Sequence, residues 1–128
     1  MIQSRQPKKQ RKWMYQAALH IKRKFISSHL SKELRQKYKR RAFPLKKGDE
    51  VQVMAGSFKK KSGKIGKINL KKQRAFVEGI TRKTSAGTER MVSFHPSKLK
   101  ITNLNLGDKR REKILTKKVP AKEEPKKS

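Results

Sequence analysis

Residues 47–80, KGDEVQVMAGSFKKKSGKIGKINLKKQRAFVEGI, constrain the fold of this chain more than any other stretch. Gly48-Asp49 leads into the alternating pair Val51 and Val53, and a lysine-rich loop follows. The chain resumes at Gly63-Lys64-Ile65 and closes on Val77-Glu78-Gly79. Alternation of apolar and polar residues bounded by glycine is the pattern of half-buried strands joined by turns. Short strands around a basic loop predict a small β-barrel that presents cations from its loops.

The rest of the segment extends this pattern to five strands. The second runs from about Lys64 to Leu70, with Ile65, Ile68 and Leu70 losing strict alternation at Gly66, where a bulge or tight bend is expected. Lys71-Lys72-Gln73 turns into a third strand, Arg74 to Ile80, with Ala75, Phe76 and Val77 as core candidates. A basic hairpin tip, Arg82 to Gly87, precedes a fourth strand carrying Val92 and Phe94. His95-Pro96-Ser97 makes a corner before Leu99 and Ile101 of the fifth. A barrel this small buries little surface alone.

Charge says what such a scaffold serves. The chain has 38 lysines and arginines against 9 acids among 128 residues, a formal net charge of +29. A compact monomer carrying that charge repels itself unless a polyanion neutralises it, which points to nucleic acid rather than an acidic membrane surface. Hydrophobic residues make up 32%, so a large core is excluded. The absence of cysteine removes disulfides and thiolate metal sites. No apolar run reaches membrane-spanning length and none follows the N-terminus as a secretory signal, so a soluble, intracellular chain without membrane insertion is expected.

The charge divides the chain into a basic arm with two short helices (1–47), a barrel (48–106) and a basic, partly disordered C-terminal extension (107–128). The arm alone holds 16 basic residues and one acid. Its start, Gln3 to Lys12, contains Pro7 and no apolar period, and is expected to be extended or disordered until bound, as is Thr116 to Ser128. From Tyr15 to Ile26, Ala17, Ile21 and Phe25 recur at helical spacing. A second helix is capped by Ser31, has Glu33 in its first turn, carries the stripe Leu30, Leu34 and Tyr38, and is stopped by Pro44. Both stripes also suit ordinary amphipathic covers of the barrel. The basic faces have no matching acids, which argues against a merely solvated surface.

At this point the residues resemble a known family. Gly48-Asp49 through Gly79 looks like a KOW motif, the RNA-binding SH3-like unit of ribosomal and transcription-elongation proteins. The run Ser27 to Tyr38, the pair Val53-Met54 before Gly56, His95-Pro96-Ser97-Lys98 followed by Ile101-Thr102, and the tail Asp108-Lys109-Arg110-Arg111 resemble large-subunit ribosomal protein L twenty-four in its archaeal and eukaryotic form. The likeness covers about Gln6 to Leu115, and the lean C-terminal tail points to an archaeon. It implies a mainly β fold, a small SH3-like barrel, and a structural protein of the cytoplasmic ribosome. It also implies partners, namely large-subunit ribosomal RNA contacted in its 5′ region and neighbouring ribosomal proteins, with early assembly near the nascent-chain tunnel exit. One departure is Lys60, which stands where the family has glycine; lysine tolerates positive φ poorly, so a different loop path is expected.

The residues expected to touch RNA are cations on arms and loops. On the arm these are Arg5, Lys8, Lys9, Arg11 and Lys12, then Lys22, Arg23 and Lys24, with Arg40 and Arg41 at the end of the second helix. In the barrel they are Lys59, Lys60, Lys61 and Lys64, the turn pair Lys71 and Lys72, and Arg82 and Lys83 at the hairpin tip. Trp13 and Tyr15 could stack on unpaired bases or dock the arm on protein. Catalysis has little to stand on. His20, His29 and His95 lack metal-ligand spacing, Ser27-Ser28 has no nearby acid, and Gly63-Lys64 lacks the rest of a phosphate-binding loop. No enzyme, metal, cofactor or small-molecule substrate is expected. A KOW-type elongation factor would share the barrel, but the chain leaves no room for its usual α/β domain. A small basic DNA-binding protein would share the charge and size but needs neither the ordered helices nor the hairpin motifs.

Overall fold

The structure, a computed structural model, describes residues 4–117. The alternation read at Val51 and Val53 becomes strand β3 (Glu50–Val53), whose valines are buried while Glu50 and Gln52 stay half-exposed. Around it lie β1 (Ser27–Leu30), β2 (Ala42–Pro44), β4 (Ser62–Asn69), β5 (Arg74–Lys83), β6 (Glu89–Phe94) and β7 (Leu99–Asn103). Together they form one seven-stranded sheet in the order β2-β1-β7-β3-β4-β5-β6. Every pairing is antiparallel except β1 with β7, so the sheet is mixed. Among the described residues no ladder joins β2 to β6, and the sheet is therefore open rather than closed into the expected barrel by hydrogen bonds. Pro44 at one edge has no N–H to extend the ladder, and Glu89 to Met91 at the other lie in solvent.

The bulge expected at Gly66 is present as a register shift between Ile65 and Lys67. Nearby, β4 and β5 approach so closely that a Cβ on Gly63 would lie 2.7 Å from the Glu78 carbonyl oxygen. Lys60 does not steer the loop away from the left-handed region: it adopts φ +73°, donating its N–H to the Val53 carbonyl at 2.9 Å. The lysine carries the strain that a glycine would avoid.

The N-terminal third differs from expectation in three places. Pro7 to Gln16 forms a helix, α1, rather than an extended arm; Pro7 occupies its first turn, where a missing N–H is harmless. The helix expected across Tyr15 to Ile26 is interrupted by extended Ala17 and Ala18, leaving a separate α2 (Leu19–Phe25). Leu30 belongs to β1 and is fully buried, while Ser31 caps α3 (Lys32–Tyr38) by accepting the Leu34 N–H at 3.3 Å. That helix ends at Lys39, which is left-handed with φ +50°, well before Pro44. Ile26, Leu30, Tyr38, Phe43 and Leu45 enter the same core as Val51, Val77 and Ile101, so this third of the chain contributes to the sheet's burial. Residues 1–3 and 118–128, including most of the tail expected to be disordered, lie outside the described residues.

Candidate nucleic-acid interface

The C-terminal helix α4 (Lys109–Thr116) shows how much of the positive charge is structural. Arg111 is 5% exposed and Asp49 is wholly buried. The guanidinium donates from Nη1 to Asp49 Oδ1 and from Nη2 to Oδ2, both at 2.6 Å, the two-pronged geometry that suits an arginine and a carboxylate. It also donates to the carbonyls of Asn105 and Pro44, at 2.8 and 3.1 Å. Asp49 in turn accepts the backbone N–H groups of Lys46 and Asn105, at 2.8 and 2.9 Å. Asp49 thus orders the turn into β3, as its position suggests, and also holds α4 from 62 residues away. Leu115, also fully buried, completes the anchor.

Helix α1 is the opposite case. None of its residues is buried, and its first turn holds no acid. Lys8, Lys9, Arg11 and Lys12 are all exposed, as is Arg5 just before it. Among the described residues the ion pairs are Lys46–Asp108, Lys64–Glu50 and Arg111–Asp49, so none of these arm cations is neutralised by an acid within that part of the chain. The two aromatic residues part company. Trp13 is half-buried and packs edge-on against Phe25, with ring centroids 5.1 Å apart, tying α1 to α2. Tyr15 is 85% exposed. Lys22, at 9% exposure, donates from Nζ to the Tyr15 carbonyl at 2.7 Å and so caps the end of α1. Arg23 and Lys24 of α2 and Arg41 before β2 remain exposed, whereas Arg40 is half-buried and donates from Nη2 to the Ile114 carbonyl.

A second exposed group lies on the sheet. Lys59, Lys60 and Lys61 project from a turn pinned by backbone bonds, the Val53 N–H donating to the Lys61 carbonyl at 2.8 Å. Lys61 stands 5.3 Å from the Phe58 ring, which packs edge-on against Phe94. Lys64 is not in this loop but on β4, facing Glu50 at 3.9 Å in an exposed pair. Lys71 and Lys72 form part of the β4–β5 turn, which Asn69 orders by accepting the Lys72 N–H at 3.1 Å. At the hairpin, Arg82 lies directly opposite Arg90 across the ladder, beside Lys83 opposite Glu89. Like charges placed opposite each other destabilise a ladder unless an anion bridges them.

Sequence reasoning assigns no individual role to Arg90 or Arg111. The register that pairs Arg90 with Arg82, and the long-range partner that buries Arg111, leave no local period to detect.

A profile describing the ribosomal proteins called L26 in eukaryotes, together with their archaeal L24 counterparts, matches residues 4–118. A protein of Korarchaeum cryptofilum named Large ribosomal subunit protein uL24 is 41% identical over 117 residues, covering 91% of this chain and 89% of that protein. Its namesake in Methanosphaera stadtmanae is 40% identical over 116 residues, covering 91% of this chain and 99% of that protein. With the profile spanning all of the described fold and relatives aligned nearly end to end, the chain belongs to this family of eukaryotic and archaeal ribosomal proteins.

Proposed function

We propose that this chain is a structural, non-catalytic constituent of the large ribosomal subunit in the cytoplasm, binding large-subunit ribosomal RNA beside neighbouring ribosomal proteins. The name shared by its relatives supports the assignment to that subunit. The observation that carries RNA binding is α1, a helix of exposed lysine and arginine with no buried residue and no acid of its own. Such a surface gains nothing from the protein and much from releasing counterions on a phosphate backbone. Arg5, Lys8, Lys9, Arg11, Lys12, Arg23, Lys24 and Arg41 make the main contacts, joined by Lys59, Lys60 and Lys61 and by Arg82 and Lys83 at the hairpin. Lys71, Lys72 and Lys64 lie at the margin, Tyr15 stacks on a base, and Trp13 and Lys22 position the arm. Residues 48–106 act as the SH3-like KOW unit, joined in one sheet by β1 and β2 from 1–47, whose leading helices form the RNA-binding arm, with 107–128 as an extension. Entry early in assembly, near the nascent-chain tunnel exit, follows from the family resemblance.

The test is the salt dependence of binding to large-subunit ribosomal RNA. Neutralising Lys59, Lys60, Lys61 and Lys64 together should lower the slope of log K against log salt by roughly 0.7 to 0.9 for each phosphate no longer neutralised. An unchanged slope would show that neither the loop nor Lys64 beside it on β4 clamps phosphate, leaving the arm and the hairpin to carry the interaction. Retention on the large subunit through a high-salt wash separates this reading from an elongation factor or a DNA-compacting protein.

A further inference from the structure

A cleft of about 550 Å³ lies between α2, the stretch from Arg40 to Lys46, and α4. Its volume falls within the range of roughly 300 to 1,000 Å³ typical of small-ligand sites. Three chain-distant segments meet there, and each brings positive charge: Arg23 and Lys24, Arg40, and Arg110. Not all of the charge in the cleft is available. Arg111 is consumed by Asp49 and two carbonyls, and Lys46 pairs with Asp108 at 3.3 Å. Arg23, Lys24, Arg40 and Arg110 have no acid partner among the described residues.

Arg40 is the telling residue. Its guanidinium lies over the Phe43 ring, 5.9 Å from the centroid, and Nη2 serves the Ile114 carbonyl. Its Nε is buried with no hydrogen-bond partner among the described residues. A ligand oxygen does not reach that enclosed atom; Nη1 of the same guanidinium, which donates to no described residue, is the donor left to meet an anionic oxygen in the cleft. The cleft also offers apolar wall from Leu45 and Ile114, and His20 lines it as well. A free phosphate would use the cations and waste that wall; an apolar ligand would use the wall and strand the cations.

The geometry points to a binding site for a single unpaired nucleotide, its phosphate held by Arg40 with Arg23, Lys24 and Arg110, and its base laid along Leu45, Ile114 and His20. This rests on the RNA-binding reading above and gives one extruded nucleotide of the bound RNA a place in the fold. It also assigns α2 and α4 a joint task that neither the arm nor the sheet performs alone.

The test uses the full chain, nitrogen-15 labelled, titrated separately with adenosine monophosphate, inorganic phosphate and adenosine while amide shifts are followed. Expected are saturable shifts at His20, Leu45 and Ile114, with the nucleotide binding more tightly than either fragment. Replacing Arg23→Gln and Lys24→Gln together should weaken the nucleotide about tenfold for each charge-assisted hydrogen bond lost, without moving the thermal midpoint. The inference is overturned if inorganic phosphate binds as well as the nucleotide, if shifts fail to saturate, or if they spread over α1 instead of the cleft. In each of those cases, wild-type binding to ribosomal RNA with its steep salt dependence would leave the RNA reading standing. Loss of that binding as well would sink both.

Discussion

The two basic helices at the ends of the described chain carry similar composition and different burdens. Helix α4 turns Arg111 and Leu115 inward and is held by the buried Asp49 carboxylate, whereas α1 turns nothing fully inward and is held through Trp13 against Phe25 and through Lys22. Both are short; α1 spans 10 residues and α4 spans 8. Isolated helices below about 12 to 15 residues are marginal in water, so each depends on what it packs against. The contrast teaches that charge density alone does not mark an RNA contact. One arginine of the tail belongs to the fold, while the lysines of the arm meet no acid among the described residues.

The sharpest way to break this comparison is to cut the C-terminal clasp. Arg111→Ala leaves Asp49 buried without its cation and should destabilise the fold by about 3 to 5 kcal/mol, measured by urea unfolding. A double replacement, Asp49→Ala with Arg111→Ala, should cost much less than the sum of the two singles, because neither partner is then left as an uncompensated charge. A cost below about 1 kcal/mol for Arg111→Ala, the level of an exposed pair, would place α4 in the same class as α1.

The arm supplies the converse experiment. Changing Lys8, Lys9, Arg11 and Lys12 to glutamine should leave unfolding within about 0.5 kcal/mol of the parent, since none of these side chains is buried. The salt slope for ribosomal RNA should fall by roughly 0.7 to 0.9 for each phosphate that loses its cation. A drop in stability comparable to that of Arg111→Ala would mean that α1 packs more than its exposure indicates.

How much of this is legible in the sequence depends on where the information lies. The strands around Val51, Ile65, Val77, Val92 and Ile101 announce themselves by period two, and the Gly66 bulge by a break in it; both are local signals. Ser31 as a helix cap is equally local. Helix α1 escapes such a reading because its residues show no apolar stripe, and composition alone favours disorder. Strands β1 and β2 look like helix or linker, since each is only a few residues long and owes its shape to pairing with β7 and with each other. The open edge between β2 and β6 is a property of topology that no single strand encodes. Arg111 in the tail resembles its basic neighbours until the fold brings Asp49 to it. The exposed cations are legible as a class, but their separation into free and spent groups requires the partners.

Smaller effects refine the picture within the sheet and the clasp. Lys60→Gly should stabilise the free protein by about 1 kcal/mol, because glycine adopts the observed positive φ without the Cβ clash. The same change should weaken RNA binding if the Lys60 side chain contacts phosphate, so unfolding and binding would move in opposite directions. Asp108, the cap of α4, accepts the Arg110 N–H at 2.9 Å and pairs with Lys46, which holds its carboxyl below the ordinary carboxylate range. A depressed folded value stabilises above the unfolded pKa and is lost as pH falls through the folded one. The helicity of α4 should therefore be insensitive to pH from neutrality down to about pH 4, the ordinary aspartate value, and should weaken only in stronger acid. Asp108→Asn should reduce that acid dependence, as read from circular dichroism against pH.

Hydrogen exchange resolved by segment, on the full chain with and without large-subunit ribosomal RNA, tests the division between the two helices most directly. In the free protein the amides of α4 should be protected along with β3 and β7, while those of α1 exchange rapidly. Adding RNA should slow exchange in α1 and in the Lys59–Lys61 turn and leave β3 and β7 unchanged. Protection of α1 in the free protein that RNA does not increase would contradict this division, because the arm would then belong to the fold rather than to its partner.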